Sequence, residues 1–96
     1  MSRPAPYKFR LYVAGNAENS VLALANLNAL CREYLPDHHK IEVIDVFREP
    51  KSALADGVLM TPTLIKLAPG RVQKIIGNLS EGLKVLHALG LEAVAA

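Results

Sequence analysis

Leu11-Tyr12-Val13-Ala14-Gly15-Asn16-Ala17-Glu18-Asn19-Ser20 is the stretch on which the fold turns. Upstream of Ala14, Phe9, Leu11 and Val13 fall on one side of an extended chain and Lys8, Arg10 and Tyr12 on the other, the period of two that marks a strand over 7–13. Gly15 and Asn16 break it, and Asn19 or Ser20 is placed to cap the next element. Val21, Leu24, Leu27, Cys31 and Tyr34 then recur at steps of three and four, a helix of about four turns that stops near Pro36.

Beyond that helix, Ile41-Glu42-Val43-Ile44-Asp45-Val46 is rich in β-branched residues and apolar on both faces, as a strand covered by helices should be. It is expected to run parallel to the first. Pro50 suits the first position of a short helix over 51–56 that Gly57 ends. Thr63 to Leu67, a turn at Ala68-Pro69-Gly70, and Arg71 to Ile76 read as a β-hairpin. Ser80 is placed to cap a last helix whose face carries Leu79, Leu83, Leu86 and Leu89 and which Gly90 stops. The tail over 91–96 is expected to be disordered.

The order is therefore βαβαββα: an α/β fold with a mixed four-stranded sheet and helices on both faces, in one domain over 1–96. That is the thioredoxin plan, in which the junction at Ala14–Asn19 is where a catalytic Cys-x-x-Cys would stand. Here it carries no cysteine, and Cys31 is the single cysteine of the chain. A dithiol enzyme needs one thiolate to attack and a second thiol to resolve the mixed disulfide, so the residues point to binding instead of redox turnover. Cys31 lies on the apolar stripe of the helix and reads as a structural thiol. Pro62, ahead of the third strand, occupies the place where thioredoxin-like proteins hold a cis proline.

Composition excludes other classes. Apolar residues make up 51% and charged residues 21%, a globular balance. Eleven Lys and Arg against nine Asp and Glu are scattered through both halves without a basic stripe, which argues against nucleic acid as a partner. No apolar run approaches the roughly 20 residues of a membrane span, and Met1-Ser2-Arg3-Pro4-Ala5-Pro6 leads into an alternating strand, not a signal-peptide core. No membrane association and a cytoplasmic location are expected. His38, His39 and His87 lack metal spacing, and no Ser-His-Asp or paired-carboxylate set can be assembled around Asp45, so neither a metal nor another cofactor is expected.

Leu11-Tyr12-Val13-Ala14-Gly15-Asn16, Asn19-Ser20, Val43-Ile44-Asp45-Val46, Thr61-Pro62-Thr63-Leu64 and Ile75-Ile76-Gly77, in this order from about Phe9 to Leu89, closely resemble the signatures of the KaiB family of clock-associated proteins. The resemblance implies a non-enzymatic protein of biological rhythms that binds the hexameric ATPase KaiC and modulates its phosphorylation cycle. It also implies KaiA or a sensory histidine kinase as further partners, a homo-oligomer (dimer or tetramer), and fold switching. In that family a ground state has a differently arranged second half, and the thioredoxin-like form binds KaiC. The alternative is a thioredoxin-fold sensor or adaptor module for another signalling protein, such as a histidine kinase.

The departures from the family are informative. Near the end of the last helix, where the family has Gly and, two residues on, Asp, this chain has Ala88 and Gly90. Ala within a helix is favoured over Gly by roughly 0.8–1 kcal/mol and Gly makes a good stop, so both favour the thioredoxin-like arrangement without a partner. Asn78 stands where Asp is common, and a long acidic C-terminal extension found in some members is missing; both weaken the expectation of a tetramer and of coupling to KaiA. Lys66 and Lys74 match basic positions that face the partner in the family, with Arg71 assisting from the turn. Ordinary solvated charges on strand faces are the plainer account of all three. Gly57 replaces a basic residue of the family, and Glu42 another on the second strand, where a partner strand could add by backbone pairing.

Overall fold

A computed structural model describes residues 5–91. Its elements are β1 (Tyr7–Val13), α1 (Glu18–Tyr34), β2 (His39–Asp45), α2 (Pro50–Ala55), β3 (Thr63–Ala68), β4 (Gln73–Ile76) and α3 (Gly82–Leu89). The sheet runs β2-β1-β3-β4. β1 pairs in parallel with β2, while β3 is antiparallel to both β1 and β4. This is the βαβαββα order expected from the residues, with helices on both faces.

The two faces differ in how well they are covered. Phe9, Leu11 and Val13 of β1 and Leu64 of β3 meet Ala23, Leu27 and Cys31 of α1 and Val85, Leu86 and Leu89 of α3 in the larger core. On the opposite face Tyr12, Ile44 and Ile65 pack with Ala53 of α2 in a much smaller one. A helix of six residues cannot roof a four-stranded sheet, so Lys74 and Ile76 of β4 stay exposed there.

Several local expectations are corrected. Val21 and Leu83 are exposed; the stripe of α1 is set by Ala23, Leu27, Leu30 and Cys31, and that of α3 by Val85, Leu86 and Leu89. Neither Asn19 nor Ser20 caps α1, because the helix begins after Ala17, and Ser20 is buried with its Oγ accepting from the Ala14 N–H at 3.0 Å. Ser80 likewise makes no cap; α3 begins after Glu81. β2 is an edge strand on which Val43 stays exposed, so it is not covered on both faces.

Leu91, assigned to the tail, is buried and donates its N–H to the Leu86 carbonyl at 2.8 Å, beyond a left-handed Gly90 at φ 75°. That contact holds the end of α3 to the core, as glycine-terminated helices do. The rest of the expected tail, 92–96, lies outside the described residues. Thr61–Pro62 is cis as expected, and so is Ala68–Pro69 in the hairpin turn.

Candidate functional site

The junction between β1 and α1 is built for shape, not reactivity. Asp45, at the end of β2, accepts at its Oδ1 from the Gly15 N–H at 3.2 Å and the Phe47 N–H at 2.9 Å, tying the two strand ends together. Gly15 has φ 53°, and the exposed Phe47 ring lies 3.7 Å from where a Cβ would be. Cys31 is fully buried away from this junction, and burial pushes its thiol up to about 11, so little thiolate exists at neutral pH.

Lys66 is placed differently from expectation. Residues 64 and 66 of β3 face the larger core, and Lys66 is 7% exposed, with its Nζ donating to the Pro69 carbonyl at 2.8 Å and lying 5.9 Å from the Tyr7 ring centroid. It braces the hairpin turn against β1 and is a buried, hydrogen-bonded ammonium, not a solvated charge. Lys74 and Arg71 are exposed, as their expected role requires. The Nζ of Lys74 donates to the Asp56 carbonyl and lies 3.1 Å from the position a Cβ of Gly57 would take.

Sequence reasoning missed the polar cluster beneath α2. Arg10 donates from Nε to Glu42 Oε1 and from Nη1 to Asp56 Oδ2, each at 2.9 Å. The fully buried Tyr12 places its hydroxyl against the same Asp56 Oδ2 and 3.0 Å from the Ser52 carbonyl. The hydrogen bonds from Tyr12 and Arg10 hold the Asp56 carboxyl below its usual range. Burial and the neighbouring carboxylate push the Tyr12 phenol up to about 12. Arg10 and Glu42 are in-register neighbours on β1 and β2, an opposite-charge pairing that becomes legible once the parallel register is known.

Around this cluster the surface is apolar. Leu54 of α2, Leu59 and Met60 of the following loop and Ile76 of β4 are 76%, 92%, 60% and 61% exposed. The Gly77 N–H, just past β4, donates to the Pro62 carbonyl at 3.0 Å and so ties the end of the loop to β4, while Thr63 Oγ1 donates to the Met60 carbonyl at 2.5 Å within the loop's own last turn. Other large apolar side chains are exposed elsewhere, among them Phe47 after β2 and Leu83 on α3. Among the described residues no group of three His, Cys, Asp or Glu could hold a metal, and no helix is long and apolar enough to cross a membrane.

A four-stranded mixed sheet of this topology, with a cysteine-free start to its first helix, defines a thioredoxin-like domain without the dithiol. Solved structures agree on the fold. The N-terminal domain of SasA from Synechococcus elongatus aligns with TM-score 0.72 at 22% identity, covering 93% of this chain and 88% of that one. Chloroplastic thioredoxin z aligns with TM-score 0.74 at 16% identity, covering 92% and 80%.

The particular family is set by sequence: residues 10–91 match the KaiB domain. Circadian clock protein KaiB3 of a Synechocystis species is 45% identical over 85 residues, 88% of this chain and 81% of that protein. Circadian clock oscillator protein KaiB of a Cyanothece species is 47% identical over the same shares. The chain belongs to the KaiB family, a family of circadian clock proteins.

Proposed function

We propose that this protein is a timing component that binds a hexameric ATPase of the KaiC type and modulates its phosphorylation cycle, acting by binding and not by catalysis. The observation that carries this reading is the apolar surface of Leu54, Leu59, Met60 and Ile76 beside the exposed Lys74, on a scaffold whose single thiol is buried. Lys74, with Arg71 from the turn, supplies the charge that orients an acidic lobe of the partner, while the apolar side chains supply the affinity. Lys66 acts from behind, by fixing the hairpin turn. The thioredoxin-like arrangement is the binding form, and Ala88 and Gly90 keep the chain in it.

The test is size-exclusion chromatography of this protein with a KaiC-type ATPase and ATP, with the phosphorylation state of the ATPase varied. Co-elution that depends on that state supports the reading. Co-elution with a sensory histidine kinase but not with the ATPase would replace it with the adaptor reading, and elution only as a dimer or tetramer of itself would count against both.

A further inference from the structure

Asp56 sits at the hinge between α2 and the loop that carries Leu59 and Met60, and it is fastened from three directions. Arg10 and Tyr12 of β1 both donate to its Oδ2, and Lys74 of β4 donates to its backbone carbonyl. Glu42 of β2 holds the other side of the Arg10 guanidinium. Among the described residues nothing comparable anchors the exposed side chains themselves: Leu54, Leu59 and Met60 face water on a six-residue helix and a loop whose apolar support is Ala53 with the partly buried Val58. A loop in that position would lose conformational freedom on docking, and the entropy of ordering it would subtract from affinity.

The geometry points to Asp56 as a positioning residue that pre-orders the 54–60 segment for its partner through the Arg10–Asp56–Tyr12 hydrogen bonds, an inference that rests on the proposed partner surface. The carboxylate touches no partner; it removes the ordering cost in advance. The arrangement spans both halves of the chain, with residues 10 and 12 securing residue 56.

The test combines two readouts on Asp56→Asn and the milder Tyr12→Phe. In the isolated protein, amide hydrogen exchange at residues 53, 56, 57 and 58, whose N–H groups bond to Glu49, Ser52, Leu54 and Ala53, should quicken roughly 10- to 100-fold on losing charge-assisted hydrogen bonds. The amides of β1 and β3 should change far less. Affinity for the KaiC-type ATPase should fall with the same ranking, whereas Leu27→Ala, which opens a cavity under α1 in the opposite core and leaves α3 and the 54–60 segment untouched, should lower thermal stability with affinity retained. Uniformly faster exchange in every element, or affinity tracking thermal stability in all three variants, would overturn the inference. Leu59→Glu separates the two claims: if it leaves binding intact, the partner surface is wrong. If it abolishes binding while Asp56→Asn loosens the segment without weakening binding, the surface stands and the positioning role falls.

Discussion

Replacing Gly90 with Ala tests whether the end of α3 decides which arrangement the second half adopts. Gly90 has φ 75° and nothing lies within 4 Å of a prospective Cβ, so the substitution acts on the backbone alone. An L-residue in the left-handed region costs about 1–2 kcal/mol. Ala88→Gly, inside the same helix, adds about 1 kcal/mol through helix propensity. Together they shift the balance away from the folded α3 by about 2–3 kcal/mol, or roughly 30- to 150-fold. Two arrangements of one chain can be separated by only a few kcal/mol.

Urea unfolding followed by circular dichroism should show Gly90→Ala losing about 1–2 kcal/mol and the double variant about 2–3 kcal/mol. Amide NMR spectra of the double variant should show a second set of peaks for residues of the second half, in slow exchange with the first. A double variant within about 0.5 kcal/mol of the parent, the range of an ordinary surface substitution, with a single set of peaks would mean that the end of α3 does not control the arrangement.

Other outcomes rest on the same geometry. Leu27→Ala, at a fully buried position of the larger core, should cost about 2–5 kcal/mol in the same unfolding assay. Cys31 should resist thiol reagents at pH 8 in the native protein and react promptly in denaturant, since burial holds its thiol up to about 11. The Tyr12 phenol, pushed up to about 12 from an ordinary 10.0, stabilises the fold fully below pH 10; that contribution should fade as pH rises from about 10 to 12 and be absent from Tyr12→Phe. Asp56 titrates below its ordinary value, so its share is present above about pH 4 and should be lost as acidification passes its lowered folded-state pKa, a loss that Asp56→Asn removes. Arg71→Glu, in the exposed turn, should weaken partner binding at nearly unchanged stability. Lys74→Glu should weaken binding and also cost stability, because it puts a carboxylate against the Asp56 carbonyl, and Lys66→Glu should destabilise the fold by the same repulsion at the Pro69 carbonyl.

The architecture was legible where periodicity is strong. Alternation over 7–13 and the β-branched run at 41–46 gave the two parallel strands, and Pro50 and Gly57 bracketed α2 where it stands. Faces were harder to assign, because an apolar residue such as Val21 or Leu83 fits a helical stripe whichever way the helix is rotated on the sheet. Lys66 could not be placed from the residues alone: alternation along β3 puts it on the same face as Leu64, but its burial depends on the return of the turn carbonyl at Pro69. The Asp56 cluster joins residues 46 positions apart, and nothing in the spacing of Arg10, Tyr12 and Asp56 announces it before the register of β1 and the placement of α2 are known. The apolar surface was missed for a similar reason, since Leu59 and Met60 read as part of a connecting loop until its side chains are seen to face water.

The decisive quantity is the affinity of a fluorescently labelled sample of this protein for a KaiC-type hexamer in ATP, compared between the parent and Leu59→Glu by anisotropy titration. The parent should bind saturably, and the variant at least ten-fold more weakly on losing an exposed apolar anchor at the interface, with matched thermal stability of the two. Equal affinities, or no binding by the parent to any phosphorylation state of the hexamer, would rule out a KaiC-type partner docked on this surface.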